Sequence, residues 1–162
     1  MLRELAQIAR ELGIEFWVRG GWAVDLFVGR VTREHEDIDL FAWARDADAL
    51  VDALTARGYA ETAGPPPETQ RNLVKNGVEL HLALLERTPA GDVVAAPLPS
   101  PWDPWPEGML TPCEGRIGDL ACPIITPEAQ LHIKRVFRRY RPERPERTKE
   151  KADVELLEAA LR

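Results

Sequence analysis

Apolar positions along the chain fall into two rhythms. Leu2, Leu5, Ile8 and Leu12 recur at helical spacing, and Gly13 is placed to end that helix. Residues 14–19 form a short β-rich run, and Gly20-Gly21 follows it. Residues 22–28 read as a helix closed by Gly29, and residues 37–43 as a second strand. Asp46 is positioned to cap a helix whose Ala47, Leu50, Val51 and Leu54 share one face and which ends near Gly58. Gly64 to Pro67 is a loop. Residues 73–75, then Asn76-Gly77, then residues 78–85 predict a hairpin, because Asn-Gly supplies the positive φ angles of a two-residue turn.

Prolines make residues 97–106 an irregular excursion. Residues 116–122, with Gly118-Asp119 between the arms, predict a second small hairpin. Thr126, Pro127 and Glu128 supply a cap, an N1 proline and a first-turn acid for a helix running to about Tyr140. Two prolines interrupt the chain within residues 141–147, and a last helix covers residues 148–161.

At 162 residues the chain suits one domain with a single core, and 44% hydrophobic with 30% charged residues is ordinary for a globular protein. No apolar run approaches the roughly 20 residues that span a bilayer. The start of the chain reads as an amphipathic helix rather than a signal peptide, so the expectation is a cytoplasmic protein without membrane contact. Cys113 and Cys122 are then expected as reduced, structural thiols. A net charge of −6 argues against general nucleic-acid binding. That charge is uneven, since residues 134–151 are rich in Lys and Arg.

The chemistry concentrates between residues 20 and 40. On a strand, alternate side chains share a face, so Asp37 and Asp39 point one way while Ile38 and Leu40 point to the core. Two carboxylates so close repel unless a cation sits between them, and Mg²⁺ binds through one or two carboxylates plus phosphate oxygens and water. An isolated Asp-x-Asp on an exposed strand edge shows the same alternation. The Gly20-Gly21 bend changes that balance: glycine lets a backbone approach a phosphate closely, and a helix N-terminus offers free N–H groups. Along the strand at 78–85, Val78, Leu80, Leu82 and Leu84 share one face, and Glu79 and His81 lie on the other. Glu79 is the candidate third metal ligand or general base, and His81 can substitute as the base.

The run Gly20-Gly21-Trp22-Ala23-x-Asp25, followed by Gly29-Arg30-x-Thr32-Arg33-x-His35-x-Asp37-Ile38-Asp39, resembles the signature of the nucleotidyltransferase superfamily that includes DNA polymerase beta. Within it, the run is similar to the small aminoglycoside 2''-nucleotidyltransferases and lincosamide nucleotidyltransferases. The resemblance implies an α+β nucleotidyltransferase fold over residues 1–162, with a small mixed or antiparallel sheet flanked by helices and C-terminal helices from about residue 126. It implies that Asp37 and Asp39 bind Mg²⁺, that a third acid on a neighbouring strand completes the site, and that a nucleoside triphosphate, ATP first, is the co-substrate. Glu79 stands there in place of the usual aspartate. The resemblance also implies that the acceptor is a small molecule with a free hydroxyl, an aminoglycoside or a lincosamide.

Several basic residues are candidates around the phosphates. Arg30, Arg33 and His35 precede the acidic strand, where they contact phosphate or pair with Glu34 and Glu36. Of these, Arg33 is the candidate ligand, because arginine suits bidentate phosphate contacts. Lys134, Arg135, Arg138 and Arg139 form a basic helical face, solvated or directed at the β- and γ-phosphates, with Lys134 the candidate contact. Asp25 reads as structural and Trp22 as packing. Trp102 and Trp105 either latch the proline-rich loop onto the core or wall the acceptor pocket. A chain this small is expected to dimerise to enclose that pocket. Two other readings share the motif: a minimal nucleotidyltransferase acting on a protein or RNA partner, and a non-catalytic nucleotide-binding domain.

Overall fold

The computed structural model describes residues 1–140 and 148–162, with residues 137–140 described by their helical backbone alone. The expected break at 141–147 and the side chains of Arg138 and Arg139 therefore lie outside the described residues. In chain order the elements are α1 (Leu2–Leu12), β1 (Phe16–Arg19), α2 (Gly20–Val28), β2 (Asp37–Trp43), α3 (Ala47–Thr55), β3 (Ala60–Thr62), β4 (Gln70–Lys75), β5 (Val78–Arg87), β6 (Val93–Ala95), β7 (Glu114–Ile117), β8 (Leu120–Pro123), α4 (Pro127–Tyr140) and α5 (Thr148–Ala160). The main sheet runs β1-β2-β5-β4-β3, with β6 paired to β5, and β7 and β8 form a separate hairpin. Only β2 and β5 pair in parallel within the main sheet, so it is mixed, as expected.

The sheet's two faces have different uses. Phe16, Val18, Ile38, Leu40, Ala42, Leu80, Leu82 and Leu84 project from one face into a core shared with Leu5 and Ile8 of α1 and Leu50 and Leu54 of α3. On the other face, Trp17, Phe41, Trp43 and Leu85 pack with Met109, Ile125 and Ala129 into a second cluster. That cluster covers one end of the face only. At the other end, register sets Arg19, Asp39, His81 and Asn72 side by side across four strands, and Asp37 beside Glu79. A single alternation rule thus buries the apolar half of β2 and β5 and assembles a polar row on the opposite side.

Several boundaries differ from expectation. The helix after the glycine pair begins at Gly20 itself, not at Trp22, because Gly20 takes a φ of 71° that lets the chain turn directly out of β1. The first hairpin is longer than its hydrophobic signal, since its arms gain partners in β3 and β6, neither of which was expected. The residues of β3 are all exposed, so no apolar alternation marks it. Asp46 occupies the cap position of α3 without a side-chain cap hydrogen bond; its carboxylate faces Arg45 instead. Asn76 and Gly77 take the positive φ values, 52° and 77°, that their turn requires. Cys113 and Cys122 are free thiols. Among the described residues no helix is long and apolar enough to cross a membrane.

Candidate active site

Asp39 lies at the centre of the polar row. Arg19 on β1 reaches it at 3.5 Å and the His81 Nδ1 on β5 at 3.6 Å. A Cβ built on Gly20 would come within 2.5 Å of the Asp39 Oδ2, so the start of α2 rests against this carboxylate. Burial pushes the Asp39 carboxyl up, but His81, Arg19 and Lys134 together hold it below the ordinary carboxylate range. His81 is raised in turn by the Asp39 carboxylate beside it, against its own burial, with smaller help from Asp37 and Glu79. Glu79 meets the His81 Nε2 at 3.2 Å, and its side chain is 62% exposed. Register therefore makes His81, not Glu79, the residue level with Asp39, while Glu79 is level with Asp37.

Behind the glycine bend lies a second polar group. The Asp25 carboxylate, fully buried, accepts from the Thr32 backbone N–H at 3.1 Å and from the Thr32 hydroxyl. It also meets the His35 Nε2 at 2.7 Å, while the His35 Nδ1 lies 2.9 Å from Arg33 Nη1. Guanidinium only donates, so Nδ1 accepts and Nε2–H donates to Asp25. Arg33 then reaches Asp153 on α5 through Nε at 3.4 Å and Nη2 at 3.2 Å, and Lys134 on α4 reaches the same carboxylate at 2.8 Å. Gly21 is the floor of this group. A Cβ there would collide with Arg33 Nη2 and lie 2.7 Å from the His35 ring. Gln130 of α4 finishes the bend: its Oε1 accepts from the Gly20 N–H at 3.3 Å and its Nε2 donates to the Gly20 carbonyl at 3.2 Å.

The candidates thus fall into two neighbouring sets. Asp37, Asp39, Glu79 and His81 share one face of the sheet, with Gly20 against them. Arg33 and Lys134 converge on Asp153 beside Gly21. The carboxylate that pairs with Arg33 is Asp153, rather than Glu34 or Glu36, and Glu36 pairs with Lys149. Trp22 is partly buried and stacks on His35 at 4.6 Å. Trp105 packs on Phe41 at 5.1 Å, which ties the proline-rich loop to the second cluster. Among the described residues no three His, Cys, Asp or Glu side chains are grouped as a ready metal cage.

Sequence reasoning missed Arg19, Gln130 and Asp153. Arg19 was legible in principle, since alternation in β1 puts it on the same face as Trp17 and opposite Val18. Asp153 carried a fainter signal: it is four residues from Leu157, and these two are the buried positions of α5. Only Gln130 had no sequence signal, because an amide that pairs with a distant backbone looks like any polar helix residue.

This sheet, with a glycine bend against an acidic strand, is the fold of nucleotidyltransferases. A lincosamide antibiotic adenylyltransferase with lincomycin bound superimposes with a TM-score of 0.78 at 21% identity, covering 98% of this chain and 95% of that one. The structure of ANT(2'')-Ia with adenylyl-2''-tobramycin gives 0.79 at 22% identity, over 99% of this chain and 87% of the other. The chain belongs to the aminoglycoside-2''-adenylyltransferase family, whose model matches residues 1–153. A 2''-aminoglycoside nucleotidyltransferase of Escherichia coli is 40% identical over 64 residues, which is 38% of this chain and 36% of that protein. A lincosamide resistance protein of Staphylococcus haemolyticus is 31% identical over 55 residues, 34% of each chain. The matched stretch therefore spans about a third of the length of these curated relatives.

Proposed function

We propose that this protein transfers a nucleoside monophosphate from a nucleoside triphosphate, ATP first, to a hydroxyl of an aminoglycoside or lincosamide. The observation that carries this reading is the placement of Asp37 and Asp39 on one strand face, with Gly20 pressed against Asp39. Family membership supports the reaction type, and relatives that act on both antibiotic classes support the acceptor.

The donor set fits a hard divalent ion such as Mg²⁺, which needs few protein ligands when phosphate and water complete its shell. Asp37 and Asp39 would hold it, with Glu79, level with Asp37 on β5, the candidate third carboxylate. When bound, such an ion offsets the phosphate charge that opposes in-line attack. The protein's own groups do the rest. Gly20 and Gly21 leave room for Asp39, Arg33 and His35 to close on the start of α2, and there Arg33 and Lys134 steady the departing pyrophosphate. The acceptor hydroxyl loses its proton to His81 or Glu79. His81 is level with Asp39 and has a carboxylate facing each ring nitrogen, whereas Glu79 is level with Asp37 and mostly exposed.

One nucleotidyltransferase domain over residues 1–162, a cytoplasmic location and a homodimer that encloses the acceptor complete the proposal. The test is incubation of aminoglycosides and lincosamides with each ribonucleoside triphosphate and Mg²⁺, followed by mass spectrometry for a nucleotidyl adduct. Asp39→Asn should retain the fold by circular dichroism and lose at least about a hundredfold in turnover, the scale of several kcal/mol of transition-state stabilisation. Retention of more than about a tenth of the wild-type rate would remove Asp39 from the reaction.

A further inference from the structure

Asp153 is a carboxylate with 2% of its side chain exposed, held near the end of the chain on a helix outside the sheet. A buried charge is costly unless paired, and this one is paired twice, with Arg33 from the loop before β2 and Lys134 from α4. One negative charge therefore faces two cations. Both cations lie beside Gly21, where Arg33 Nη2 and the His35 ring occupy the space a Cβ would take. Neither cation is rigid alone: arginine and lysine stems each have several free torsions, and ordering them on a ligand costs entropy. A shared, buried carboxylate removes that freedom in advance.

We infer that Asp153 is a positioning residue for the polyphosphate site, fixing Arg33 and Lys134 side by side at the glycine bend before the nucleotide arrives. This rests on the proposed function, in which those two cations meet the triphosphate. The attachment to α5 is specific. Lys149, one helical turn before Asp153, pairs with Glu36 at 3.2 Å, so the same helix face grips the loop at two points. His35 and Asp25 fix Arg33 from the other side, through the 2.9 Å contact to Nη1. Arg33 is thus held from α2 and α5 at once, and among the described residues Asp153 of α5 is the one hydrogen-bond partner of Lys134. Lys134 is accordingly the cation whose placement depends most on Asp153.

Charge placement and fold support are separable on this helix. Leu157 shares the buried face of α5, is fully buried and carries no polar side-chain atom, so Leu157→Ala serves as the structural control. Asp153→Asn keeps the shape, removes the charge and turns an amide N–H₂ toward two donors. Titration calorimetry with Mg²⁺ and each ribonucleoside triphosphate, without acceptor, reads the effect. Asp153→Asn should weaken nucleotide binding about tenfold, the scale of one charge-assisted hydrogen bond, and leave the KM for the acceptor unchanged. Leu157→Ala should lower the melting temperature and leave nucleotide affinity within about twofold. Equal affinity in Asp153→Asn and wild type, or equal weakening in Leu157→Ala, overturns the inference. If Asp153→Asn does not fold, Asp153→Glu displaces the charge by one methylene: weaker binding supports the assignment and unchanged binding sinks it. Wild-type protein that binds no triphosphate would overturn the proposed function itself, and this inference with it.

Discussion

Gly20 combines two constraints that are usually separate. Its φ of 71° lies in the left-handed region, and a Cβ there would meet the Asp39 Oδ2 at 2.5 Å and the Asp39 Cβ at 3.2 Å. Gly20→Ala should therefore cost about 1–2 kcal/mol of stability in denaturant titrations and push the Asp39 carboxylate aside. Turnover should fall by more than the stability loss explains, as a kinetic assay at a temperature where the variant is folded will read. The acids themselves were legible, because Asp37 and Asp39 obey strict alternation beside a diglycine. Their surroundings were not. The partners of Arg33, Lys134 and Gly20 are Asp153 and Gln130, more than a hundred residues away in two of the three pairs, and no local pattern encodes such pairing. Glu79 shows an intermediate case: the alternation put it on the right face, but only the parallel register of β2 and β5 makes His81 the residue opposite Asp39.

Among the elements, the β7-β8 hairpin is the least obvious contributor to the site. It packs on α2, where a Cβ on Gly115 would lie 2.6 Å from the Leu26 Cβ and 2.9 Å from the Leu26 carbonyl carbon. The latter is backbone and has little room to yield. Gly115→Ala should destabilise the protein by about 1–3 kcal/mol through overpacking, measurable as a lower unfolding midpoint. A variant as stable as wild type would mean that α2 is free to shift away from the hairpin. The amphipathic helices and the Asn76-Gly77 hairpin were readable from periodicity and turn chemistry. The short strands β3 and β6 were not: β3 is an exposed edge, and the three residues of β6 precede a proline-rich stretch that dominates the local signal. Neither carries a site residue, so missing them left the reading of the chemistry intact.

For the whole molecule, the net charge of −6 bears on the choice between the two proposed acceptor classes. A polycationic aminoglycoside is drawn to an acidic protein by long-range attraction, which salt screens, whereas an acceptor of low charge gains far less. Raising ionic strength from about 0.05 to about 0.5 M should therefore raise the KM several-fold for an aminoglycoside and hardly at all for a lincosamide. Steady-state kinetics on both classes decides this. Salt-independent KM values for both would exclude steering by the protein's overall charge. Architecture also explains why the fold was readable before the site was. The core needs only apolar residues at the right period, while the site needs specific partners drawn from β1, α2, β2, β5, α4 and α5 together.

The side chain of Gln130 pairs with the Gly20 peptide as one backbone amide pairs with another, giving and receiving a hydrogen bond at once. A primary amide of this length does both: ionised glutamate has no proton to offer the carbonyl, lysine has no lone pair to offer the N–H, and asparagine is a methylene short. With 3% of its surface exposed, position 130 has little water to repair a mismatch. Any tilt of α4 is then transmitted directly to the peptide plane that rests against Asp39, which makes this helix a lever on the very bend that no side chain can enter.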